Sequence, residues 1–196
     1  MPGVFEATAE GGAAVVLDRV EASILRHLTV QLLELIGPAG DGDDDPLAAL
    51  LADGPREAPS DPVLARLFPD AYGGPGVKPD EATRAASAEF RRYTENDLRA
   101  RKREDGLALV RTLDAAAADA DGGAVVRLAP EEARRWLGAL NDLRLALGTR
   151  LEITEEEDGR GLFALPDSDP RKPLVMAYLW LGGLQESLVE ALSTED

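Results

Sequence analysis

The stretch WLGALNDLRLALGTRLEIT, Trp136 to Thr154, decides the fold. Leu140, Leu143 and Leu147 fall at helical spacing, Trp136 and Leu137 lead into them, and Asn141 and Arg144 share an adjacent face three residues apart. A helix that is apolar over more than half its girth is buried on two sides. The spacing predicts a helix from Pro130 to Leu147. Pro130 suits its first position, Glu131 and Glu132 favour the dipole, and Gly148 is the expected stop. A guanidinium drawn into such a helix has to be paired, because removing the partner of a buried ion costs about 3–5 kcal/mol.

The last helix, after Pro173, offers partners in LWLGGLQESL. We expect it to pack on the Trp136 helix, with Arg144 bonding Glu186 and Asn141 bonding Gln185. This polar cluster of Asn141, Arg144, Gln185 and Glu186 has two readings: a device that fixes helix register, or a surface that meets a partner protein. Leu174, Leu181 and Leu188 of the same helix recur at heptad spacing, with Ala177, Leu184 and Ala191 interleaved. They read either as a dimer seam or as intramolecular core. Gly182 and Gly183 weaken the helix and permit close approach of another backbone.

Towards the N-terminus, Val4 to Thr8 and Ala13 to Leu17 flank Glu10-Gly11-Gly12 and read as a β-hairpin. Asp18 and Glu21 resemble a capping box opening a helix that carries the stripe Val20, Ile24, Leu28, Leu32, with Leu25 and Ile36 beside it. Gly37 and Pro38 end it. An acidic loop over 38–45 follows. Asp41, Asp43 and Asp45 alternate as in a calcium loop, yet Pro46 replaces the required glycine and Ala52 the terminal acid. Asp-Pro at 45–46 and 61–62 starts two short helices. A second loop, over 73–79, is rich in Gly and Pro and contains neither GxGxxG nor GxxxxGK. Two helical pieces are expected from Asp80 to Tyr93 and from Thr94 to about Ala118, with Thr94 capping the second. After the turn DADGG, Ala124–Leu128 is a candidate third strand beside the hairpin. The expected fold is therefore mainly α within the α+β class. It is one helical domain over 1–196 with a small N-terminal hairpin that extends, with Ala124–Leu128, to a three-stranded antiparallel sheet.

Composition narrows function. With no cysteine there is no thiol nucleophile, disulfide or cysteine-held zinc. His27 is the single histidine, which argues against a histidine metal cluster or a Ser-His-Asp site. Glu155, Glu156, Glu157 and Asp158 sit in an expected loop with no second group to position a substrate. Tyr178, Trp180 and Trp136 read as core. No catalytic residue, cofactor or metal is expected. No run approaches the ~18 uncharged apolar residues of a membrane span, and the N-terminus lacks a signal peptide, so a cytoplasmic location is expected. The net charge of −16 disfavours stand-alone DNA binding, which relies on releasing counterions against Lys and Arg. Basic residues concentrate between Arg84 and Arg103, where Arg92, Arg99 and Arg103 share one helical face. That face is either solvated and paired with Glu95, Asp97 and Glu104, or a contact for promoter DNA or a partner inside a larger complex.

WLGALNDLRLALGTRLEIT, together with LFPDAY (Leu67 to Tyr72), EFRRYTENDLRARK (Glu89 to Lys102) and LWLGGLQESLV (Leu179 to Val189), resembles the actinobacterial AosR-type oxidative-stress regulator family, in order along nearly the whole chain. The resemblance implies a cytoplasmic, mainly helical homodimer that regulates transcription by engaging a sigma factor or RNA polymerase. A thiol-based response cannot come with it, since cysteine is absent. An alternative role, as an adaptor or structural protein tied to ClpS/Clp proteolysis, is suggested by the gene neighbourhood of the family.

Overall fold

Alternation places two strands side by side. Ala13, Val15 and Leu17 are buried, as are Ala124, Val126 and Leu128, while Val16 and Arg127 point outward. One buried face every second residue is what a sheet covering a core requires. A computed structural model describes residues 3–38, 54–74, 77–118, 123–153 and 165–193. In chain order the elements are β1 (Glu6–Ala7), β2 (Ala13–Leu17), α1 (Arg19–Ile36), α2 (Pro62–Leu67), α3 (Glu81–Ala115), β3 (Ala117–Ala118), β4 (Ala124–Leu128), α4 (Pro130–Arg150) and α5 (Lys172–Ser193). The protein is thus mainly α with a small antiparallel sheet.

The sheet order is β1-β2-β4-β3, with Val15 opposite Val126 and Ala13 opposite Leu128. The expected third strand is present. A fourth, Ala117–Ala118, pairs with the start of β4; two alanines at a helix end carry no strand signal. The hairpin turns at Thr8 to Gly12, where the Gly12 carbonyl accepts from the Thr8 amide at 2.9 Å and Gly11 takes φ 80°.

Asp18 caps α1 as expected. Its carboxylate accepts from the amides of Val20 and Glu21, and the Glu21 carboxylate accepts in return from the Asp18 amide. The buried face of α1 differs in part from the expected stripe. Leu25, Leu32, Leu33 and Ile36 are buried with Thr29, whereas Val20 and Ile24 are exposed. The face that packs inward runs through Leu25, Thr29, Leu32 and Ile36, with Ala22 and Leu28 at its edge, so it is rotated about the helix axis from the expected stripe and leaves Val20 and Ile24 outside.

Residues 81–115 form one 35-residue helix, not two. No Gly or Pro interrupts it before Gly106, and Thr94 bonds the Phe90 carbonyl at 2.8 Å from inside the helix. At Gly106 an added Cβ would lie 3.0 Å from the Leu33 side chain. The glycine therefore lets α3 close against α1.

α4 packs against α1, α2, α3, α5 and β4. Trp136, Leu140, Leu143 and Leu147 on it are at most 3% exposed. Burying each such side chain favours the fold by about 1.5–3 kcal/mol over leaving it in water. Trp136 meets Phe5 edge-on at 5.9 Å. Gly148 does not stop the helix, which runs on to Arg150 and ends at Leu151 and Glu152, the latter at φ 55°. Gly148 instead faces Tyr178, whose ring would lie 3.4 Å from an added Cβ.

The short helix expected after Pro46, the acidic loop from residue 39, the turn at 119–122 and the carboxylates Glu155 to Asp158 lie outside the described residues. Of the second expected loop, Gly73 has φ 114° and residues 77–79 carry neither helix nor strand.

Candidate partner-binding surface

The expected polar cluster forms only in part. Arg144 donates from Nη1 to Gln185 Oε1 at 2.6 Å, and its guanidinium lies 5.5 Å from the centroid of the Tyr178 ring. α4 and α5 therefore do lock face to face, as expected. The pairing is different: Arg144 takes Gln185, while Glu186 and Asn141 are exposed. Gln185 is the residue of α5 that shares a face with Tyr178 and Gly182, the side on which Arg144 lies; Glu186 is rotated a further 100° or so out of that groove. Asn141 instead helps to lower the carboxyl pKa of the neighbouring Asp142.

The heptad leucines are core. Leu181 and Leu188 are 0% exposed, and Leu174 packs partly buried against the same cluster. The expectation of a dimer seam at Leu174, Leu181 and Leu188 is therefore corrected, because the α4 helix already fills that groove.

The basic face is corrected too. Arg99 donates to the Ile36 carbonyl at 2.9 Å and to Glu95 at 2.9 Å, and lies 4.3 Å over the Phe68 ring. Arg103 donates to the carbonyls of Leu33 and Gly37. Arg92 reaches Glu89 at 3.4 Å and stacks 4.8 Å from the Tyr93 ring. The last carbonyls of a helix have no partner of their own. Here two of the three arginines supply partners to the end of α1, so the row Arg92, Arg99, Arg103 is no open basic strip.

Two buried ionic groups escaped the sequence reading. Arg91 and Glu95, 4% and 3% exposed, bond each other, and Arg91 also donates to the Phe68 carbonyl at 3.0 Å and to Asp70 at 2.8 Å. Burial works against the Arg91 charge, but Asp70 and Glu95 outweigh it and hold the guanidinium above its ordinary value. The spacing of Arg91, Glu95 and Arg99 by four was the available signal. The second group is Asp142, 3% exposed, which accepts from Lys102 Nζ at 2.6 Å. Burial raises its carboxyl above the ordinary value, and the Lys102 bond only partly opposes this. Asp105, against Gly138, is raised as well, first by burial and then by the nearby Asp142 charge.

These groups are consumed in holding helices together. Among the described residues no three or more His, Cys, Asp or Glu are grouped to hold a metal ion, and no helix is long and apolar enough to cross a membrane.

What stays open is apolar. Phe90 and Tyr93, 46% and 64% exposed, stand three apart on α3 and share one outer face. Tyr72 meets Phe90 edge-on at 5.9 Å, and Val77 is exposed nearby in sequence. The half of α3 behind them is braced by the Arg91, Glu95 and Asp70 bonds, so the aromatic rings stand on a rigid support.

The family described as a domain of unknown function, DUF2017, matches residues 2–192. The protein named "Oxidative stress regulator AosR" in Mycobacterium tuberculosis strain H37Rv is 32% identical over 180 residues, covering 88% of this chain and 78% of that protein. The "Putative oxidative stress regulator AosR" of Mycobacterium leprae is 33% identical over 181 residues, with the same coverage. No solved structure matches.

Proposed function

Because the chain belongs to the DUF2017 family and is similar over most of its length to proteins named oxidative stress regulator AosR, we propose that it is a non-enzymatic transcription regulator of the oxidative-stress response, acting in the cytoplasm as a homodimer through contacts with a sigma factor or RNA polymerase. The observation that carries this reading is the exposed aromatic surface of Tyr72, Phe90 and Tyr93 on a braced helix. Aromatic side chains dominate the energetics of protein interfaces, and leaving them in water is otherwise unfavourable. The net charge of −16 suits a basic protein surface as partner and opposes a phosphate backbone. With Arg99 and Arg103 committed to α1, DNA contact falls to other residues inside a complex. No thiol switch operates within this sequence, which holds no cysteine.

The test is reconstitution from purified components. The wild-type chain is expected to co-elute with sigma factor or polymerase, and Phe90→Ser with Tyr93→Ser is expected to abolish this while leaving helix content unchanged. Retention of Clp protease components in place of polymerase would move the protein to the adaptor role. Strong retardation of DNA by the chain alone would overturn the charge argument.

A further inference from the structure

Arg144 is a partly buried cation that meets no anion among the described residues. Among the described residues only its Nη1 finds an acceptor, the neutral Gln185, and its Nε is buried with none. Among the described residues no carboxylate lies within ion-pair distance of it. A desolvated guanidinium is held at a cost unless a carboxylate or several hydrogen bonds compensate it, and Tyr178 supplies only its ring.

Glu186 has the opposite deficit. It is exposed on α5, one residue past Gln185, and makes no ion pair among the described residues. Between the two lies an open stretch of helix. An added Cβ at Gly183 would meet nothing within 4 Å, whereas one at Gly182 would approach the Arg144 guanidinium at 3.7 Å. Met176 and Val189, 51% and 44% exposed, flank the glycines. The outer surface of α5 thus joins apolar side chains, a flat glycine step, a cation lacking an anion and an anion lacking a cation.

We propose that this face of α5 is covered by the same face of a second copy, the two helices crossing antiparallel at Gly182–Gly183, with Glu186 of each copy bonding Arg144 of the other. A two-fold axis makes every contact reciprocal. In an antiparallel crossing, residues three or four past the crossing point lie opposite those three or four before it. Glu186 of the partner copy then falls beside Leu179 and Trp180, about 5 Å along the helix from the glycines, next to the Tyr178–Gly182 groove that holds Arg144. Glycine at the crossing point brings the axes towards the short end of the usual helix spacing. The contact deepens the homodimer reading and rests on it. The aromatic surface on α3 is left free for another partner.

Sedimentation of the full chain tests this with Arg144→Glu, Glu186→Arg, their equimolar mixture and Gly183→Gln. Each charge reversal sets like charges against each other twice in a two-fold pair, so the dimer Kd is expected to rise by about tenfold or more. In the mixture the mixed pair carries one Arg and one Glu at both contacts, and wild-type affinity is expected to return. Gly183→Gln improves helix propensity and has room in the single chain, so it is expected to raise thermal stability of the fold and still weaken the dimer. A wild-type chain that is monomeric at every concentration overturns the homodimer reading itself. A wild-type dimer that the reversals and Gly183→Gln leave unchanged overturns only the α5 contact. Weakened reversals that fail to rescue one another overturn the Arg144–Glu186 bond.

Discussion

Arg99 donates from Nη1 to the carbonyl of Ile36 at 2.9 Å, tying the middle of the longest helix to the end of the first. Ile36 lies in the last turn of α1, where carbonyls have no intrahelical donor. Arg103, one turn further along α3, serves Gly37 and gives a second donor to Leu33, whose carbonyl already accepts from the Gly37 amide. A cation at this end also complements the helix dipole. The long arginine row on α3 is thus a capping device for α1, built from a helix distant in sequence.

Arg99→Met keeps most of the aliphatic length and removes the bonds to Ile36 and Glu95. Stability is expected to fall by about 1–3 kcal/mol, the usual cost of leaving buried polar groups unsatisfied. Urea unfolding would measure it. DNA retention is expected to be unchanged, since a residue spent on a carbonyl contributes nothing to phosphate binding.

Glu95 sits between Arg91 and Arg99, with its side chain 2% exposed. Glu95→Gln keeps the shape and removes the charge that both guanidiniums face. Breaking a buried pair in this way costs about 3–5 kcal/mol, more than the Arg99 change, because Asp70 is then the one carboxylate among the described residues that still pairs with Arg91. Thermal unfolding of the two variants side by side checks the order.

The Asp105–Asp142 pair gives a pH dependence with a defined sign. The charged groups facing Asp105 are Arg101 and Lys102 on its own helix and Arg135 and Asp142 on α4. Burial raises both carboxyls above their unfolded values, so the folded state binds these protons more tightly than the unfolded chain. Their contribution therefore favours the fold below the ordinary carboxylate range and is lost as pH climbs through the raised folded values. Asp105→Asn removes one of the two. The variant is expected to gain stability relative to wild type as pH rises across that window, with a constant difference above it. Urea midpoints taken at a series of pH values would show the slope, and parallel profiles would refute it.

Periodic and capping features were legible in the sequence. The α4 leucines, the Asp18–Glu21 box and the alternation in Ala124–Leu128 each state a local rule that the fold then obeys. The partners of charged residues were not legible. Arg99 finds Ile36, Arg103 finds Gly37 and Lys102 finds Asp142 across 40 or more positions, and such choices depend on helix packing that no local pattern encodes. Val20 and Ile24 fit the apolar period of α1 yet face out, because two apolar stripes overlap on this helix and periodicity does not say which of them is centred on the core. The AosR likeness was readable from NDLRLALGTRL and LQESL, whereas the aromatic surface was not, because nothing local to Phe90 and Tyr93 says which face of the helix is left uncovered.

Gly148 separates two explanations of one residue. A helix-ending glycine adopts positive φ, and alanine there is strained. Here Gly148 is helical, two residues inside the end of α4, and is not among the glycines at positive φ. An added Cβ would rest 3.4 Å from the Tyr178 ring, at the near edge of ordinary contact. Gly148→Ala is therefore expected to stabilise by roughly 0.5–1 kcal/mol, from helix propensity and reduced freedom of the unfolded chain. Gly148→Leu is expected to destabilise, because its larger side chain displaces the Tyr178 ring on which the Arg144 guanidinium lies. A loss of stability in the alanine variant would show that the chain needs glycine there for its backbone, and the close approach of α4 to Tyr178 would then be a consequence rather than the reason.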